Sequence, residues 1–212
     1  MRFALVVLIA LALALALSAC VSIGVGGDTP AQAQYRLHDA GTAPQRRTEP
    51  LVPALVIQAI PADALAETVS IAYSRRANEF SFYQLAVWTE RPVRQLPRLL
   101  QQRLQARGVA GAVGVAGDPL RADWLLSLGV DTVHHDVSTP PGMARVKVTA
   151  ELFDRRSRVR IARQHFEANA PTATADSAAA AAAMAQAVGQ TFDSLVPWLE
   201  AELTAAARQA SP

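Results

Sequence analysis

Residues 145–152 read Arg-Val-Lys-Val-Thr-Ala-Glu-Leu, with an apolar side chain at every second position and a polar one between. Side chains on an extended chain alternate between two faces, so this period of two is that of a β-strand with one buried side. Val146, Val148, Ala150 and Leu152 belong to a core; Arg145, Lys147, Thr149 and Glu151 face water. Upstream, Trp124, Leu126, Leu128 and Val130 repeat the alternation, and downstream residues 154–158 turn the chain into a partner strand over 159–167. Strands of this kind predict a sheet with one wet face, at least around this hairpin.

The flanking sequence switches to the helical period. Asp176 or Ser177 caps a helix that runs toward Ala207, in which Met184, Val188, Phe192, Leu195, Leu199 and Leu203 recur every three or four residues. The alanine run at 178–183 favours helix, and Pro197 predicts a bend. Before the strands, Thr89 is a candidate N-cap followed by the acidic Glu90, and Val93, Leu96, Leu100 and Leu104 share one helical face up to a stop at Gly108. Pro92 suits a first turn, whereas Pro97 predicts a kink or the true start. Further upstream, the run ALVIQAI at 54–60, closed by Pro61, reads as a buried central strand. Residues 69–74 and 79–86 read as two strands around the turn Arg75-Arg76-Ala77-Asn78. One helical turn fits 62–68, a proline-bearing loop fits 41–53, and Tyr35-Arg36-Leu37 opens a first strand. The glycines at 108, 111, 114 and 117 fit a loop and a weak strand. These elements predict a single α/β domain over 35–208, a mixed β-sheet flanked by helices.

The start of the chain has a different character. Arg2 precedes an unbroken apolar run from Phe3 to Leu17, closed by Leu17-Ser18-Ala19-Cys20. Charge, apolar segment and small residues in that order make a signal peptide, and the run is short for a membrane span, which needs about 20 apolar residues. Leu-Ser-Ala-Cys matches the bacterial lipobox, in which the cysteine is acylated and becomes the new N-terminus. Cys20 is the only cysteine, so it has no internal disulfide partner. Residues 1–19 are therefore read as a lipoprotein signal peptide and 20–34 as a lipidated, flexible tether containing Gly24, Gly26, Gly27 and Pro30.

Composition excludes several function classes. The formal charge is +2, falling to +1 when Arg2 leaves with the signal, and the basic residues are dispersed, so no field for a phosphate backbone exists and no nucleic-acid partner is expected. No phosphate-binding Gly-rich loop ending in Lys-Ser or Lys-Thr occurs, and no Gly-x-Ser-x-Gly elbow. His134 and His135 are adjacent and point to opposite faces of a strand, so they do not readily share a metal, although Asp131 and Asp136 lie near. His38 and His165 have no partner in sequence. No catalytic residues, no metal site and no cofactor are expected, and the chain is read as not an enzyme. Tyr83, Trp88 and Trp198 read as core or domain-edge packing, with a partner-contact surface as the alternative.

The stretch Ile71-Ala72-Tyr73-Ser74-Arg75-Arg76-Ala77-Asn78-Glu79, then Tyr83 and Trp88-Thr89-Glu90-Arg91-Pro92, resembles the ABC-type transport auxiliary lipoproteins, including the paraquat-inducible protein C type. The order of strand, Asn-Glu, Tyr, Trp-x-Glu-x-Pro and amphipathic helix is similar to their central signature. The resemblance covers nearly the whole chain after the signal. It implies a fold similar to anticodon-binding-like α/β domains and a non-enzymatic subunit of an envelope lipid-trafficking system. The partners it implies are an MCE-type substrate-binding protein that bridges the periplasm and an ABC permease and ATPase, with homo-oligomerisation open. Contact with that partner is expected around Tyr83, Trp88, Arg91 and Arg94. Val21 follows Cys20 where an aspartate would signal inner-membrane retention, which favours the periplasmic face of the outer membrane. The alternatives are a structural or regulatory lipoprotein bound to another envelope enzyme, and a periplasmic hydrolase or metal binder.

Overall fold

The computed structural model describes residues 31–210; Cys20, the signal segment and most of the tether lie outside the described residues. Eight strands form one mixed sheet: β1 (Ala33–Tyr35), β2 (Val52–Pro61), β3 (Ser70–Arg76), β4 (Glu79–Trp88), β5 (Ala110–Val115), β6 (Trp124–Asp136), β7 (Met143–Asp154) and β8 (Val159–Pro171). Two helices accompany it, α1 (Pro92–Arg107) and α2 (Ser177–Ala210), with a 3-10 turn at Ala64–Glu67 capped by the Asp63 side chain. The chain is thus a mixed α/β domain, as its patterning predicts.

β6 is the hub. One of its edges pairs antiparallel with β7 along nearly its whole length, and β7 pairs in turn with β8. The other edge is shared: β2 runs parallel to residues 124–130, and β3 meets it at His135 and Asp136. β2 lies between β5 and β6, parallel to both. Leu55, Val56 and Ile57 are consequently buried on both faces, which explains the continuous apolar run. β7 keeps its alternation, with 144, 146, 148, 150 and 152 inaccessible to solvent.

The core lies between this sheet and the two helices. Leu96, Leu100 and Leu104 of α1, and all six residues of the α2 stripe, are inaccessible. Burying each such side chain stabilises by roughly 1.5–3 kcal/mol before entropy is counted. Asp176 caps α2 by accepting from the Ala179 N–H. Gly108 closes α1 in the left-handed region, its N–H donating to the carbonyls of Leu104 and Gln105.

Several boundaries differ from the sequence reading. Thr89 is not the α1 cap: its N–H donates to the Tyr35 carbonyl and so belongs to the junction with β1, and the helix starts at Pro92, whose missing N–H costs nothing in a first turn. Pro97 is not the helix start either; α1 runs through it, losing one bond near its beginning. Pro197 likewise sits inside a continuous α2, on its exposed side, where water can satisfy the freed Asp193 carbonyl. β1 occupies 33–35 rather than 35–37, because parallel pairing with Ala86, Val87 and Trp88 sets it. β6 and β8 continue to Asp136 and Pro171, held by β7 between them. Among the described residues, no helix is long and apolar enough to cross a membrane.

Candidate functional site

The β3–β4 hairpin turns tightly at Ala77-Asn78. Asn78 takes φ 62°, a left-handed conformation that asparagine tolerates better than most residues. A first register shift lies beside the turn, between Arg76 opposite Glu79 and Ser74 opposite Phe80; the pairing then runs regularly to Ala72 opposite Phe82 and resumes only at Ser70 opposite Val87. β4 therefore spends four residues, 83–86, against the single Ile71 of β3. This bulge swings Tyr83 and Leu85 to the rim of a groove of about 590 Å³, lined also by Tyr73, Arg75, Val137 and Ser177.

Tyr83 is anchored by a chain of hydrogen bonds. The Thr172 hydroxyl donates to the Pro141 carbonyl at 2.8 Å, so its oxygen can only accept from His135 Nε2 at 3.1 Å. His135 is fully buried, and burial lowers its pKa, keeping the ring neutral. Nδ1 is then left to accept from the Tyr83 hydroxyl at 2.8 Å. Burial, and after it the charge of Asp176, push the Tyr83 phenol up to about 12, so it remains a donor at neutral pH. Gly142 is required beside this chain: a Cβ there would lie 2.4 Å from His135 Nε2, and its φ is 112°. Tyr73 stands 4.9 Å from the Tyr83 ring, and the Arg75 guanidinium lies 5.1 Å from the Tyr73 centroid.

His134 points the other way, as adjacent strand residues must. Its ring meets the edge of Phe80 at 5.1 Å, burial lowers its pKa, and its buried Nδ1 has no hydrogen-bond partner among the described residues. Asp131 accepts from Thr149, while Asp136 pairs with Ser138 and Arg145. These contacts, led by the Ser138 hydroxyl, hold the Asp136 carboxyl down at about 2. The two histidines and two aspartates thus serve separate contacts, and no group of three metal-ligating side chains occurs among the described residues.

The four expected contact residues do not converge. Tyr83 lines the groove. Trp88 is 3% exposed and packs in the core. Arg91 and Arg94 are exposed at the opposite end of β4, where the chain enters α1, and Arg94 borders a smaller hollow of about 300 Å³ with Val93, Arg98 and Ile57. Trp198 packs edge-on against Phe166 at 5.5 Å.

The model of the ABC-type transport auxiliary lipoprotein component family matches residues 35–196. The chain belongs to this family. No curated protein matches the chain. Among solved structures, a Xanthomonas campestris protein of the DUF330 family superposes with a TM-score of 0.74 at 20% identity, covering 83% of this chain and 99% of that one. A second, uncharacterised protein superposes with a TM-score of 0.60 at 15% identity, over 80% and 99% of the two chains. At such identities the likeness establishes a shared fold.

Within this auxiliary lipoprotein the matched region begins at the last residue of β1 and contains β2 to β8, α1 and more than half of α2. Sequence reasoning found the Asn-Glu turn and Tyr83 but missed their setting. His135 is 52 residues from Tyr83, and the only sequence signal of a role was its place on an alternating strand. It also missed Arg103, whose side chain is 5% exposed between Asp39 and Asp193.

Proposed function

We propose that the chain is a lipid-anchored, non-enzymatic auxiliary subunit of an MCE/ABC-type intermembrane lipid transport system, held by acylated Cys20 at the periplasmic face of the outer membrane. The observation that supports this most is the succession of a lipobox at 17–20 and a transport auxiliary domain matched from residue 35. An acyl anchor confines a domain to a surface and raises its effective concentration near other envelope components, and two or more chains suffice for stable attachment. Val21 favours the outer membrane.

Arg91 and Arg94, exposed at the start of α1, and Tyr83 at the groove supply the contact with the bridging protein. Arginine and tyrosine commonly anchor interfaces because they join large contact area to directed polar groups. Trp88 supports the strand-to-helix junction from beneath. The test is purification from cross-linked envelopes, with a labelled fatty acid, of the wild type and Cys20→Ser. The expected result is label and co-purified MCE-type and permease subunits with the wild type, and a released or unprocessed Cys20→Ser chain. Unchanged labelling in the variant, or an unrelated envelope enzyme as the partner, overturns the reading.

A further inference from the structure

Phe80, Phe82 and Leu85 are 42%, 45% and 52% exposed, a concentration of large apolar surface on one short stretch of β4. Phe80 and Phe82 pair with Ser74 and Ala72, so they project from one face of the hairpin. β1 covers the outer edge of β4 only at 86–88, so that among the described residues 79–85 have no strand on that edge. The four-residue bulge at 83–86 leaves too little regular edge for strand addition, which blunts the site as a template for another chain.

At the turn, Arg75 and Arg76 are exposed; Arg75 has no carboxylate partner among the described residues. Arg76 meets Glu79 at 3.4 Å with both side chains more than half exposed, a pair worth little in water. Then there is the direction of the chain. β1 runs parallel to β4, so the polypeptide reaches Ala33 from the side on which the hairpin tip lies. Twelve residues separate Cys20 from Ala33 in the sequence, and a Gly-rich chain of that length has a root-mean-square reach of roughly 20 Å. The six residues from Ala86 back to Phe80 span roughly 20 Å as strand.

We infer that the β3–β4 hairpin is a second membrane contact, inserting Phe80 and Phe82 at the bilayer interface while Arg75 and Arg76 meet anionic phospholipid headgroups. This rests on acylation of Cys20 as proposed above. Aromatic and aliphatic side chains flanked by arginines are the composition of surfaces that lie in the headgroup region, where each arginine adds roughly fivefold to binding of an anionic surface. The lipid and the hairpin then hold the domain in one orientation, with Arg91 and Arg94, at the far end of β4, turned away from the membrane.

The acylated protein offers a direct test, because its single native cysteine is occupied. Phe82→Cys and, separately, Phe80→Cys are labelled with an environment-sensitive fluorophore, with Ala205→Cys on exposed α2 as control. Each is reconstituted in phosphatidylethanolamine–phosphatidylglycerol vesicles, with thermal melts to confirm folding. The expected result is a blue-shifted label at 80 and 82, quenched by nitroxide lipids, an unquenched label at 205, and a several-fold loss of quenching in Arg75→Glu/Arg76→Glu. Vesicle-bound protein whose labels at 80 and 82 remain in water overturns the hairpin contact and leaves the anchor intact. Labels shifted before vesicles are added assign the patch to a second protein copy, and overturn it too. A chain that carries no acyl group and does not float with vesicles overturns the anchor and this inference together.

Discussion

Phe192 and Phe82 are both phenylalanines on regular elements, yet one is inaccessible to solvent and the other 45% exposed. Phe192 lies 5.7 Å beneath the Arg103 guanidinium, which forks onto Asp39 at 2.5 and 2.6 Å and also bonds Asp193. Around it the loop at 39–42 presses on α2 so closely that a Cβ on Gly189 would fall 2.2 Å from the Gly41 nitrogen. Phe82 stands on a hairpin with none of this. Where apolar area and charge are both satisfied, the residues serve stability. Where apolar area is left open beside arginines that are exposed and at most weakly paired, the residues are available for recognition.

The largest effect belongs to the closed region. Phe192→Ala is expected to cost about 3–5 kcal/mol and Leu199→Ala about 2–5, read from urea midpoints. Midpoints within error of wild type would mean that the α2 stripe does not face the core. Arg103→Ala follows at about 3 kcal/mol, since removing this buried side chain leaves the largely buried Asp39 without its cation, while Asp193 is exposed enough to turn to water. A loss below about 1 kcal/mol would reduce that cluster to a surface ion pair.

What the sequence made legible divides along the same line. The α2 stripe and the β7 alternation were readable because burial there is set by local period, and every core position on both is buried. Arg103 was not, because its place beside Leu100 and Leu104 reads as a helix-surface charge until Asp39 and Asp193 are brought to it. The Thr89 cap failed for a related reason: the β1 junction, 54 residues earlier in the chain (35 against 89), claims its N–H. The two hairpin strands were legible, but the turn is Ala77-Asn78 alone, because Arg75 and Arg76 stay in β3 with Arg76 paired to Glu79, and the bulge at 83–86 and the Tyr83–His135 bond are tertiary and leave no periodic trace.

Tyr83→Phe sharpens the boundary between the regions. It leaves His135 Nδ1 without a donor in a buried site and is expected to cost about 1–2 kcal/mol by thermal or urea melting. Burial lowers the pKa of both His134 and His135, so below the ordinary value of about 6.5 the unfolded chain takes up protons that the folded rings refuse. Stability should be full above that pH and fall as pH drops below it, and His135→Gln should flatten the fall. A profile unchanged in the variant would remove His135 as its source. Phe82→Ser, by contrast, should shift stability by no more than about 0.5 kcal/mol, because the ring is already half in water. A larger loss would place Phe82 with the closed region.

The most direct measurement of the account is binding of the bridging MCE-type protein to Arg91→Glu/Arg94→Glu, in parallel with thermal melts. Both arginines are exposed, so the charge reversal does not touch the core. Unchanged melting with lost pull-down of the partner is the expected result. Normal binding with normal melting would contradict it and remove the start of α1 from the interface.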